Sequence, residues 1–213
     1  GTTTYRIEPR INADAPAYLT TDMNTGVTGT WRTATGHGET LIAFTDSSEK
    51  IVHSNLSGTT WTTGSKDSNW VDPNSAIRCK GKLKYYIAVG SGGYINLSTT
   101  GTAWGSTPYV VPVANYIAVV EGPHTTTSHT VLAIADDSST IQRSTTDGTT
   151  WTSIVTGADS TVGFKWLAYG NGKWMIVRAD GSCLQSIDDG INWLPGNNVC
   201  PSTYNVTGFA WGN

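Results

Sequence analysis

Four segments end in the same short polar phrase, with a glycine three residues ahead of a tryptophan, and no other feature constrains this chain as much. The copies read Ser54-Asn-Leu-Ser-Gly-Thr-Thr-Trp61, Leu97-Ser-Thr-Thr-Gly-Thr-Ala-Trp104, Ser144-Thr-Thr-Asp-Gly-Thr-Thr-Trp151 and Ser186-Ile-Asp-Asp-Gly-Ile-Asn-Trp193. Their tryptophans stand 43, 47 and 42 residues apart. A period of this size marks a repeat architecture, in which each unit buries its apolar face only against its neighbours.

Between the tryptophans the same pieces return in the same order. An opening strand is expected at Trp31–Thr35, Ala76–Lys80, Tyr116–Val120 and Lys165–Tyr169. Each leads into a Gly-containing turn, at Gly36-His-Gly38, Gly81-Lys82, Gly122-Pro123 and Gly170-Asn-Gly172. A strongly apolar strand follows at Leu41–Phe44, Tyr85–Val89, Val131–Ala135 and Trp174–Val177. After a small polar turn comes a third strand, at Lys50–Ser54, Tyr94–Leu97, Thr140–Ser144 and Cys183–Ser186, which runs into the repeated phrase. The segment carrying the tryptophan supplies the fourth. β-branched and aromatic runs bounded by turn chemistry read as strands. Four short strands with their turns fill about 40–45 residues, the size of one β-propeller blade.

The chain ends complete one another. Gly208-Phe-Ala-Trp-Gly-Asn213 matches Gly163-Phe-Lys-Trp-Leu-Ala-Tyr-Gly-Asn171 as an opening strand, and Thr3–Ile7 and Ala17–Thr21 continue from it, with Asp22–Gly26 as a decayed phrase. The expected fold is therefore all-β: one domain over residues 1–213, a five-bladed β-propeller of four-stranded antiparallel blades. One C-terminal strand joins three N-terminal strands in a blade shared by 1–26 and 205–213. The other blades span about 30–64, 76–107, 115–154 and 163–196. Closure of this kind leaves no long unpaired strand edge.

Composition agrees with strands and narrows the partners. Twenty-four Gly, nine Trp and nine Tyr accompany only 14% charged residues, with no helix-forming run. Thirteen basic against sixteen acidic residues give a net charge of −3, without a basic block. That points away from nucleic acid, whose binding rests on clustered Lys and Arg. The longest apolar stretch, Tyr109–Val120, is broken by Pro112 and Asn115, so no membrane insertion is expected. The N-terminus lacks the charged-then-apolar order of a signal peptide. Cys79, Cys183 and Cys200 form no C-x-x-C or Cys/His pattern, so no metal is expected; buried thiols are the reading, with a Cys183–Cys200 bridge left open. His124 and His129 flank a Thr-rich hairpin tip, where solvation is the default.

The repeated phrase resembles the Asp box, Ser-x-Asp-x-Gly-x-x-Trp, of BNR-repeat and sialidase-like β-propellers. Ser186, Asp188, Gly190 and Trp193 match it in full. Ser144, Gly148 and Trp151 match with Asp147 one place late, while Ser54, Gly58, Trp61 and Gly101, Trp104 belong to copies without Asp. The residues suit a structural role. Ser and Asp oxygens accept turn N–H groups, Gly takes a conformation a Cβ would penalise, and Trp covers the hairpin. A catalytic group is not needed once per repeat, so hairpin locking is the expected job of Asp147 and Asp188.

Sialidases also carry a Phe/Tyr-Arg-Ile-Pro motif, and Tyr5-Arg-Ile-Glu-Pro9 resembles it with a Glu inserted. The family needs three arginines around its substrate, and Arg6, Arg32, Arg78, Arg143 and Arg178 sit in no matching context. The expectation is therefore no enzyme, no catalytic residue and no cofactor. Ligands would meet the face made by the inter-blade loops Thr62–Ser75, Gly105–Asn115, Thr152–Gly163 and Leu194–Thr207, with Trp70, Asp67, Asn69, Asp72, Tyr109 and Tyr204 as candidate contacts. Aromatic rings beside Asp and Asn suit sugar recognition; plugging gaps between blades or sealing a subunit interface is the alternative.

Richness in Gly, Thr and Trp, scarce charge and degenerate boxes resemble small propeller proteins of bacteriophage virions. The resemblance implies a non-catalytic recognition or assembly module in a tail, receptor-binding part or capsid decoration. Its partners would be other virion proteins or a cell-surface glycan, with a homo-oligomer also open. A secreted, soluble carbohydrate-binding lectin and a sialidase-like glycoside hydrolase are the alternatives.

Overall fold

The computed structural model describes residues 30–37, 40–46, 50–55, 61–65, 71–80, 85–104, 109–110, 112, 114–124, 129–136 and 139–197. Their strands form four sheets of four, each an antiparallel meander in chain order. The first sheet holds β1 (Trp31–His37), β2 (Thr40–Thr45), β3 (Lys50–Asn55) and β4 (Trp61–Ser65). In the second are β5 (Val71–Arg78), β6 (Tyr86–Ser91), β7 (Tyr94–Ser98) and β8 (Tyr109–Val110). The third has β9 (Tyr116–His124), β10 (His129–Ala135), β11 (Thr140–Ser144) and β12 (Thr152–Val155). The fourth has β13 (Phe164–Gly170), β14 (Lys173–Arg178), β15 (Cys183–Ser186) and β16 (Leu194–Pro195). First strands contact one another in order, β1 with β5, β5 with β9, β9 with β13.

The apolar second strands build the core because both of their faces are covered. Side chains alternate across a strand, so successive residues enter opposite seams. Tyr86 and Ala88 join Ile42, Phe44 and Trp104 in the first seam. Ile87 and Val89 join Val131, Ala133, Tyr116 and Val119 in the second. Leu132 and Ile134 join Trp174, Ile176, Phe164 and Trp193 in the third. This two-sided burial explains why these strands read as continuous apolar runs rather than alternating ones. Each fully buried Ile or Leu contributes about 1.5–3 kcal/mol.

Three boundaries differ from the sequence expectation. Strand β9 continues through Gly122 and Pro123 to His124 instead of turning there. Gly122 serves packing: a Cβ would stand 2.1 Å from Cζ2 of the buried Trp174, and Pro123 is tolerated because β9 is an edge of its sheet. Strand β5 begins at Val71, not Ala76, and two register shifts around Pro73 absorb the proline. The second sheet's fourth strand is Tyr109–Val110, paired with Ile95 and Tyr94, so the sheet runs past 107. Trp104 is instead pinned ahead of that strand, edge-on to Phe44 at 5.2 Å. The shared blade expected from 1–26 and 205–213 lies outside the described residues.

Candidate functional site

The repeated turns lie together at one end of the sheets. In the last three copies a serine Oγ accepts the turn glycine's N–H: Ser98 from Gly101 at 2.7 Å, Ser144 from Gly148 at 2.9 Å, Ser186 from Gly190 at 3.0 Å. The tryptophan Nε1 then donates to that glycine's carbonyl, at 2.9 Å for Trp104, 2.8 Å for Trp151 and 3.1 Å for Trp193. The three glycines have φ of 79°, 84° and 81°, a region that penalises any Cβ. Each also abuts the preceding sheet: a Cβ would lie 2.1 Å from Ile42 Cδ1 at Gly101, 2.5 Å from Ile87 Cδ1 at Gly148 and 2.9 Å from Leu132 Cδ1 at Gly190. The turn is thus both a hairpin lock and an inter-sheet peg. In the first copy Ser54 is buried and pairs with Trp61 across β3 and β4; Gly58 lies outside the described residues.

Sequence alignment misplaces two residues in these turns. Ser98 was hidden because the second copy is one residue shorter between serine and glycine. Asp147 is not a late version of Asp188. Asp188 Oδ1 accepts the N–H of Asn192 at 2.9 Å and the hydroxyl of Ser186 at 2.8 Å. These bonds, that from the Asn192 N–H foremost, hold its carboxyl below the usual range. In the third copy Thr146 does this work, its Oγ1 accepting the N–H of Thr150 at 2.9 Å. Asp147 corresponds to Asp189: both directly precede the glycine, with φ of 54° and 65°. Both reach out of their own turn. Asp189 accepts from Arg143 Nη2 at 2.8 Å and from the Thr130 hydroxyl, tying the fourth turn to the third sheet.

Asp147 reaches His129. The His129 Nδ1 meets a carboxylate oxygen of Asp147, and Nε2 lies 2.6 Å from Oε1 of Glu121. That same Oε1 accepts the backbone N–H of Lys80 at 2.6 Å. The neighbouring Cys79 is buried, and desolvation, reinforced by Glu121 and Asp147, pushes its thiol far up. His129 is therefore not solvated at its hairpin tip, as expected from sequence; its side chain is 11% exposed. Cys79, Glu121 and His129 form a mixed sulfur, oxygen and nitrogen cluster among the described residues. No sequence spacing betrays it, since its members come from different strands.

The opposite face carries the inter-sheet loops proposed for ligand contact. Of the expected contacts, Trp70, Asp67, Asn69 and Tyr204 lie outside the described residues. Tyr109 is placed in β8. Asp72 sits at the irregular start of β5 and is paired with Arg32 of the first sheet at 2.8 Å. Sequence reading missed the polar group that does gather here. Asn115 Oδ1 accepts from Asn74 Nδ2 at 3.1 Å and Ser91 Oγ at 2.7 Å, and Asn115 Nδ2 donates to Asp136 at 2.7 Å. Asn115 stands just ahead of an inner strand, and Asp136 opens the turn after a second strand, so position in the repeat was the available signal. Beside the fourth sheet, Arg178 Nη2 donates to the Asp159 carbonyl at 2.6 Å and the Val162 carbonyl at 3.2 Å, clamping the incoming loop.

No protein-family model matches the chain, and no curated protein matches its sequence. Solved structures do match its fold. YCF48 bound to a D1 peptide aligns over 81% of this chain and 54% of its own, at TM-score 0.57 and 20% identity. The virginiamycin B lyase of Staphylococcus aureus aligns over 86% and 60%, at TM-score 0.70 and 12% identity. The GH74 enzyme of Niastella koreensis aligns over 79% and 30%, at TM-score 0.62 and 16% identity. These are β-propeller proteins, and the likeness supports a propeller fold for the chain. The chain spans between 30% and 60% of these neighbours' lengths.

Proposed function

We propose that this propeller is a non-catalytic recognition or assembly module. The observation that carries the reading is the fate of its arginines. A sialidase-like site needs several guanidinium groups converging on one substrate carboxylate. Here the four described arginines are engaged separately: Arg32 with Asp72, Arg78 with the Cys79 carbonyl and the Tyr86 ring, Arg143 with Asp189, Arg178 with loop carbonyls. Among the described residues, the carboxyls that the surroundings shift, those of Asp46, Asp159, Asp180 and Asp188, are all held low by hydrogen bonds. A glycosidase acid needs the opposite direction.

The ring is read as five-bladed, with residues 1–26 and 205–213 supplying the blade between the fourth and first described sheets. Ala43 and Val177 support this: both are buried, yet neither belongs to the three seam cores. The repeated turns are read as degenerate Asp boxes that lock the rim. The setting we read is a bacteriophage virion, in a tail, receptor-binding part or capsid decoration, as the resemblance to small virion propellers implies. The peptide bound to YCF48 makes a protein segment a fitting partner. Exposed Ile187, Ile191 and Leu194 around the fourth turn add apolar surface for such contact.

Three measurements test this. Assays with aryl sialosides and xyloglucan should show no turnover above buffer; turnover abolished by Arg6→Ala would overturn the reading. Density-gradient particles from the source culture should carry the chain at fixed stoichiometry. Glycan-array binding by free protein, lost in Trp70→Ala, would instead establish the lectin alternative.

A further inference from the structure

We propose that Cys79, Glu121 and His129 bind a divalent transition-metal ion of the zinc class at the seam between the second and third sheets, with Asp147 orienting the histidine. This inference is independent of the recognition reading. One donor atom from each of the three ligands lies within 4.8 Å of the others. Ligand atoms held tetrahedrally at about 2.0–2.3 Å from an ion stand roughly 3.3–3.8 Å apart, so small side-chain rotations close the set. Cys79 follows β5, Glu121 lies in β9 and His129 opens β10, so the ion would bridge two sheets.

The donor chemistry selects the ion. A thiolate, an imidazole and a carboxylate together suit Zn²⁺ or Co²⁺, whereas Mg²⁺ and Ca²⁺ take oxygen ligands. The histidine is already arranged as a ligand. Its Nε2 faces Glu121, and its Nδ1 meets Asp147. A metal-bound imidazole ordinarily has its second nitrogen fixed by a carboxylate in this way, which sets the tautomer. Asp147 is itself held rigidly, next to a glycine whose N–H is bonded to Ser144.

Two poorly exposed carboxylates can accommodate a divalent ion. The Glu121 and Asp147 side chains are only 12% and 8% exposed. Arg78, one residue before Cys79, turns toward the Cys79 carbonyl at 3.1 Å and lies over the Tyr86 ring at 4.7 Å. With the thiol ionised, a 2+ ion offsets two of the three negative charges of Cys79, Glu121 and Asp147, so the loaded cluster keeps a single negative charge. Binding displaces the thiol proton of Cys79 to solvent, with sulfur bonding to the metal, and any proton on Nε2 leaves likewise. His129 and Glu121 keep 11% and 12% of their side chains exposed, so a fourth ligand would come from solvent.

The full chain, stripped with chelator and dialysed, is titrated with Co²⁺ and with Zn²⁺. The expected result is one equivalent bound, with a thiolate-to-cobalt charge-transfer band that Zn²⁺ abolishes. That band should persist in Cys183→Ser/Cys200→Ser and vanish in Cys79→Ser, and Asp147→Asn should weaken Zn²⁺ binding by about 10–100-fold. Wild-type chain that melts cooperatively yet binds neither ion overturns the site and leaves His129 a structural link between Glu121 and Asp147. A band that survives Cys79→Ser overturns it equally. The wild-type titration stands even if a variant fails to fold.

Discussion

The second and third seams place the same residue at the same backbone position and give it different chemistry. Asp147 and Asp189 each precede a turn glycine with positive φ and reach beyond their own turn. At the third seam Asp189 meets Arg143, which donates through Nη2 to the carboxylate and through Nε to the Asp189 carbonyl, both at 2.8 Å. A guanidinium is always charged and its fork fits that geometry, so this tie is permanent. Asp147 instead meets His129 of its own sheet, whose other ring nitrogen faces Glu121. A repeat can therefore keep its backbone peg constant while the aspartate beside it ties two sheets together in one copy and braces its own sheet in another.

Breaking the two turns themselves should produce the largest effects. Trp193 is buried in its seam core, whereas Trp151 is only partly buried. Trp193→Ala should cost about 3–5 kcal/mol in urea melts and Trp151→Ala measurably less. Equal losses would show that the two turns carry the same packing.

Gly148→Ala comes next and has a built-in control. Gly148 and Gly172 both have positive φ, 84° and 73°, but only Gly148 has a neighbour in the way, Ile87 Cδ1 at 2.5 Å; Gly172 faces open space. The two alanine variants share the backbone strain, so Gly148→Ala should lose about 1–3 kcal/mol more, from overpacking alone.

Asp189→Asn sharpens the comparison of seams. It leaves Arg143 without its anion in a partly buried site and should cost about 1.5–3 kcal/mol. Arg143→Met should bring the double variant back toward the single one in a mutant cycle; strict additivity would mean the ion pair is only a contact.

The smallest effect is the pH response of Asp188. Its folded-state pKa is lowered from 3.8 by bonds from Asn192 and Ser186. The stabilisation is thus present above the unfolded value and fades as pH falls through the folded one. Wild type should lose melting temperature faster than Asp188→Asn on acidification below about pH 4, and parallel curves would falsify the hydrogen-bond assignment.

How far the sequence reached varies along the chain. Cys183–Ser186 forms β15 with the bounds its pattern implied, and Thr140–Ser144 forms β11 likewise. Alternation and turn chemistry are local, so they could be read directly. Gly122 deceived because glycine serves two ends, turning the chain or admitting a neighbour, and only the Trp174 ring from the next sheet distinguishes them. Asn96 matches a glycosylation acceptor yet is buried in β7, a fact that lies in the seam and not in the tripeptide.

The sequence alone determined the unit: its period, its four strands, its turn glycine and the tryptophan that covers the turn, all set within about forty residues. Tertiary structure decided which side chains meet across seams. Cys79 reaches Glu121 and His129, and Asp189 reaches Arg143 and Thr130, only because successive sheets are stacked in one register. Contacts between repeats depend on how whole sheets are placed, and no local pattern encodes the distance between two side chains on different sheets.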